Sequence, residues 1–165
     1  MKHVIRLLLI AFFALSIAAC DKQASAPAAA DQAPLVAPTN EDPGAWRDYV
    51  SGVVKRNMQG VSSAPFVYLL PAESTQDFQG SYDRLLEKAK SDVDRGILPG
   101  NLLAYSSASL SSAKAADLVV AAFADVKPDK LKGVKLLFVG KAEDNDRVKA
   151  AVQASGVDYI FVETK

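Results

Sequence analysis

One cysteine and one histidine occur among the 165 residues, and both stand near the start, as Cys20 and His3. From residue 21 onward there is neither a thiol nor an imidazole. That excludes Ser-His-Asp and Cys-His catalysis, CxxC redox chemistry and a His/Cys zinc site for this part of the chain. It also excludes an intrachain disulfide, so the fold must rest on a packed core. An excess of positive charge is missing too. The 19 Lys plus Arg are balanced by 19 Asp plus Glu, which gives none of the basic surface that nucleic acid requires. No nucleic-acid partner is expected. The only long apolar run is residues 7–19, and its 13 residues fall short of the about 20 that a membrane-spanning helix needs. Neither GxGxxG nor GxxxxGK(S/T) occurs, so neither nucleotide fingerprint is present, and no cofactor is expected.

What is present begins with that apolar run. Lys2, His3 and Arg6 precede it, and Leu15-Ser16-Ile17-Ala18-Ala19-Cys20 ends it. A basic start, a short apolar stretch and a small-residue site are the parts of an export signal. The final six residues resemble the lipobox of bacterial lipoproteins, in which a branched apolar residue and small residues precede an invariant cysteine. The resemblance covers residues 1–20 only. It implies that Cys20 carries a diacylglycerol thioether, that residues 1–19 are removed, and that the new amino group is often acylated, as by palmitate. The membrane, reached through the lipid, is then one partner, and a protein of the cell envelope is the other. Asp21 follows the cysteine directly, which in enteric bacteria marks retention at the periplasmic face of the inner membrane. Outer-membrane placement is the alternative. Without residues 1–19 the chain holds 17 basic and 19 acidic side chains, a net charge of about −2.

Residues 20–41 begin with that cysteine and continue as DKQASAPAAADQAPLVAPTNE. Rich in Ala, Pro, Gln and Asp and without apolar periodicity, residues 21–41 read as a disordered tether. Fully extended, they would reach on the order of 60 Å. A single folded domain is expected over 42–165. Asp42-Pro43 is a good helix start, followed at helical spacing by Trp46, Tyr49, Val50, Val53, Val54 and Met58. Short apolar strands are expected at 66–70, 102–106, 134–139 and 158–163. Helices are expected between them over 76–95, from Ser111 to before Pro128, and over 144–155. Strict alternation of helices with strands buried on both faces argues for parallel pairing through helical crossovers. The expected fold is α/β: a three-layer sandwich with a mostly parallel sheet of about four strands, and helices on both faces.

Ligands of open parallel sheets sit beyond the carboxyl ends of the strands. The side chains expected there with usable chemistry are Glu73, Ser107, Lys141 and Asp144, and these are the candidate binding residues. The loop 140–146 (GKAEDND) could hold a divalent cation through its oxygens, but its spacing fits no calcium loop. Capping of the next helix explains the same residues, and no metal is expected. Ser111-Ser112-Ala113-Lys114 satisfies SxxK, a motif that opens a helix in penicillin-binding proteins and β-lactamases. Their SDN and KTG partners are absent, so capping is the simpler reading. No catalytic residue is assigned. The sequence thus leads to a membrane-anchored envelope lipoprotein with a non-catalytic interaction domain. The alternatives are a small-ligand binder or hydrolase using the polar rim, and a structural accessory subunit of an envelope complex.

Overall fold

The computed structural model describes residues 34–165; the lipobox, Cys20 and residues 21–33 lie outside the described residues. Four helices alternate with four strands: α1 (Pro43–Arg56), β1 (Phe66–Leu70), α2 (Phe78–Arg95), β2 (Leu102–Ser107), α3 (Ala113–Phe123), β3 (Lys135–Gly140), α4 (Ala142–Gln153) and β4 (Asp158–Glu163). The strands form one sheet in the order β1-β2-β3-β4, and every pairing is parallel. The α/β sandwich with a four-stranded parallel sheet is therefore the observed fold.

Its layers are uneven. Successive strands are always next-door neighbours, so a single hand of crossover carries α2, α3 and α4 to the same face. There they close over Tyr68, Leu103, Tyr105, Leu136 and Phe138 with Ala89, Val93, Val119, Phe123, Val148 and Val152. The alternate residues Leu102, Ala104, Leu137 and Val139 face the other way and are covered by α1, through Trp46, Tyr49, Val50, Val53 and Val54, with Ala37 and Ala108 in the same cluster. Crossovers alone do not populate both faces; the second face depends on the helix that precedes the first strand. The central strands β2 and β3 are buried on both sides, whereas the four apolar residues of β4 are only partly covered.

Local chemistry explains the element ends. The Asp42 carboxylate accepts the Ala45 N–H at 2.6 Å, and Pro43 supplies the fixed φ of a first helical residue. At α3 the cap is Ser112 rather than Ser111, and its hydroxyl makes no capping bond because it is used elsewhere. The fourth helix starts two residues earlier than expected, so Glu143 and Asp144 lie in its first turn, where negative charge complements the dipole.

Residues 34–41 do not behave as tether. Ala37 is buried with the α1 cluster, the Trp46 indole N–H donates to the Asn40 carbonyl at 2.7 Å, and Ser74 donates to the Glu41 carboxylate at 2.5 Å. The packed unit therefore begins N-terminal to α1. Leu35 and Ala37 lay this stretch along the helix, and composition averaged over 21 residues hides them.

The core also contains polar groups. Tyr68 and Tyr105 stack with ring centroids 4.6 Å apart. Tyr68 donates its hydroxyl to Asp92 at 2.8 Å, whereas the Tyr105 hydroxyl is buried and has no hydrogen-bond partner among the described residues. An unsatisfied buried hydroxyl costs about 1–3 kcal/mol, and removing it with no change of shape returns that cost. Tyr105→Phe is thus expected to be neutral or to stabilise by about 1 kcal/mol, while Tyr68→Phe destabilises by about 1–2 kcal/mol. Denaturant midpoints of the two variants check this. A Tyr105→Phe loss as large as that of Tyr68→Phe would show that the Tyr105 hydroxyl is bonded after all.

Candidate functional site

The carboxyl ends of the four strands bring the expected rim together, but as a set of internal hydrogen bonds. Ser106 donates to the Val139 carbonyl at 3.0 Å and Ser107 to the Ser111 carbonyl at 2.9 Å. Both serines are buried; the Ser106 hydroxyl ties β2 to β3, and that of Ser107 holds the loop between β2 and α3. Ser109 accepts the Glu73 N–H at 3.0 Å, joining the loops that follow β1 and β2. The Glu73 side chain itself points to solvent. Lys141 extends its ammonium to the Thr164 carbonyl at 2.9 Å, fastening the C-terminal end to the start of α4.

The densest part of the rim is centred on Asp144. Its carboxylate is buried, accepts the Ser112 hydroxyl in a short bond, and accepts Arg147 Nε at 2.9 Å. Ser112 Oγ in turn accepts the Lys141 N–H at 2.8 Å. Arg147 continues the network to Asp117 at 2.6 Å and to the Ala113 carbonyl at 2.8 Å. The hydrogen bond to Asp117 raises the Arg147 pKa above its ordinary value, and Asp144 adds to that against the opposing effect of burial. The arrangement ties the N-termini of α3 and α4 together above β3. Lys114, the lysine of the SxxK match, lies 3.8 Å from Asp117, and Ser111 Oγ accepts the Ala113 N–H at 3.2 Å. Each member of that match has a local partner.

Of the four candidates, Lys141 and Asp144 are thus joined through Ser112, whereas Glu73 and Ser107 serve separate local roles. The strand order also lacks the reversal at which a crevice opens in doubly wound sheets. Among the described residues no group of three or more His, Cys, Asp or Glu is placed to hold a metal ion, and no helix is long and apolar enough to cross a membrane. A surface depression of about 530 Å³, open to solvent, runs along α2 beside Leu86, Glu87, Lys90, Asp94 and Arg95, away from the strand ends. No family model, curated protein or solved structure matches this chain.

A second polar cluster lies on α2, away from the strand ends. Asp92 sits in the last third of α2 with its side chain 4% exposed, and receives Lys88 at 2.5 Å, Arg95 and the Tyr68 hydroxyl. Lys88 also lies over the rings of Tyr68 and Phe66, with Nζ 5.3 and 5.9 Å from their centroids. Burial alone would raise the Asp92 pKa, but the hydrogen bonds from Lys88, Tyr68 and Arg95 outweigh it and hold the carboxyl below its ordinary value. Burial and the Asp92 carboxylate push the Tyr68 phenol far above the ordinary range. The cluster pins α2 to the edge strand. Its signal in the sequence is the Lys88-Asp92-Arg95 spacing, which sets both cations on the same side of the helix as the carboxylate.

Proposed function

We propose that the chain is an envelope lipoprotein, anchored through Cys20, whose α/β domain acts by binding another envelope component and not by catalysis. The observation that supports this most is the engagement of the rim. The side chains that could act as nucleophile or base, Ser107, Ser112, Lys141 and Asp144, are held by one another, by Arg147 or by main-chain carbonyls. A nucleophilic serine needs its hydroxyl directed at a base that can take its proton. Ser112 points at a buried carboxylate that also carries an arginine, and Ser107 points at a carbonyl. The lipid anchor rests on the residues of the lipobox, and the Asp21 lean toward the inner membrane is part of the same proposal.

Metabolic labelling with a palmitate analogue tests the anchor. The chain incorporates label and runs at the size lacking residues 1–19, whereas Cys20→Ser yields an unlabelled, uncut precursor. Label retained in the variant refutes the anchor. In vivo crosslinking of the labelled protein then tests the binding role, with one recurring envelope protein as the expected product. Hydrolase turnover by the purified protein that disappears on replacing Ser112 or Lys141 would overturn it in favour of the rim enzyme.

A further inference from the structure

Residues 34–41 lie along α1, yet what holds them is slight. Leu35 rests in a notch made by Gly52: a Cβ at that position would stand 3.0 and 3.2 Å from the two Leu35 methyl carbons. Ala37 is buried, Asn40 receives the Trp46 indole N–H at 2.7 Å, and Glu41 receives Ser74. Among the described residues, no backbone–backbone hydrogen bond ties 34–39 to the domain. Val36 is 79% exposed and contributes nothing to the docking. Fixing a backbone costs conformational entropy at every residue. One leucine still 37% exposed, one buried alanine, the indole bond and the Ser74–Glu41 bond oppose that cost over eight residues, so the section is held weakly.

Resting on the lipoprotein reading above, we propose that residues 34–41 are a releasable section of the leash between lipidated Cys20 and the domain. When the section is docked, its eight residues are withheld from the leash; at about 3.1 Å per residue they are worth about 25 Å of extended reach. When it is released, the leash runs from 21 to 41 and reaches on the order of 60 Å. The domain can then engage a partner farther from its membrane without leaving its anchor, and the Gly52 notch sets the balance between the two reaches. A helix interior normally disfavours glycine; here the missing side chain is what admits Leu35.

The test uses the lipidated full chain in vesicles, with two variants that act from opposite sides of the contact. Gly52→Leu fills the notch, and Leu35→Ala removes the side chain that occupies it. Trp46 is the only tryptophan, so its emission reports directly on the Asn40 contact. Thermolysin cutting before Val36 reports release. Energy transfer from a dye on Asp125→Cys to labelled lipid headgroups reports reach. In both variants the Trp46 emission is expected to shift to the red, cutting to accelerate at least tenfold, and transfer efficiency to fall. Cutting and emission unchanged in both variants would overturn the proposal, as would a wild-type section cut only as fast as the domain unfolds globally. Palmitate labelling of the same preparation separates the two levels. A labelled chain with an unreleasable section refutes the leash alone, whereas an unlabelled chain refutes the anchor and the leash with it.

Discussion

Replacing Asp92 with alanine is expected to lower the unfolding free energy by about 3 kcal/mol. The variant leaves the Tyr68 hydroxyl buried without its acceptor, beside a Tyr105 hydroxyl that already lacks one. It also leaves Lys88 and Arg95 without their common carboxylate. Those two side chains are 56% and 73% exposed and can return to water, so the loss stays at the low end of the range for broken buried ion pairs. For a domain of this size the fall in Tm is roughly 10 °C. Asp92→Asn keeps an acceptor for Tyr68 and should lose about half as much. Thermal unfolding followed by circular dichroism decides the matter, and a loss under 1 kcal/mol for the alanine variant would mean that the cluster contributes only surface pairing.

The same carboxyl fixes a pH dependence. Its pKa in the folded protein is below the value of 3.8 taken for an unperturbed Asp. The stabilisation is therefore fully present above pH 3.8 and is lost as pH falls through the lower folded value. The gap between wild type and Asp92→Asn should be constant from neutral pH down to about 4 and should close below it. The phenols give the opposite limb. Burial, with Asp146 adding, pushes Tyr159 up to about 12, so its contribution is present below pH 10 and disappears as pH rises through the folded value.

How much of this was legible in the sequence differs by kind of information. The strands at 66–70 and 158–163 and the α1 start at Pro43 have the expected ends, because apolar runs bounded by proline, glycine and a capping aspartate are local signals. The sheet order is not local. An order of β1-β2-β3-β4 and a reversing order give the same alternation of elements, yet only the reversing order opens a crevice. For that reason the rim could be listed residue by residue while its crevice could not be tested. Asp144 and Ser112 are 32 residues apart, and nothing in their neighbourhoods shows that their side chains meet. The Asp92 cluster was half legible: the i, i+4 and i, i+3 cations are readable on the helix, but the Tyr68 hydroxyl comes from a strand 24 residues earlier. Leu35-Val36 could be seen as an apolar pair in the linker; the notch that receives Leu35 depends on a glycine 17 positions later.

Gly140→Ala should cost about 2–3 kcal/mol, although alanine is ordinarily the better residue for a strand end that needs no positive φ. Gly140 has no left-handed backbone, so its role is space. An added Cβ would stand 2.7 Å from the Ser112 Cβ and 2.8 Å from two ring carbons of Phe138. Neither neighbour can yield cheaply. Phe138 is fully buried and stacks on Phe161 with centroids 6.2 Å apart. Ser112 is held by Lys141 N–H and by Asp144. The Gly140 carbonyl also accepts the Thr164 N–H at 2.8 Å, so a shift of this residue disturbs the C-terminal fastening as well. The overpacking term therefore exceeds the entropy that alanine removes from the unfolded chain, which is about 0.4–1 kcal/mol. Ser112→Ala separates crowding from hydrogen bonding. It keeps the Cβ, strips Asp144 of one donor, and should cost about 1–2 kcal/mol. Faster amide exchange in the first turn of α4 is expected in both variants, and exchange near Phe138 should rise only in Gly140→Ala. A Gly140→Ala protein as stable as wild type would show that β3 and the Ser112 loop are not in the close contact that holds the rim shut.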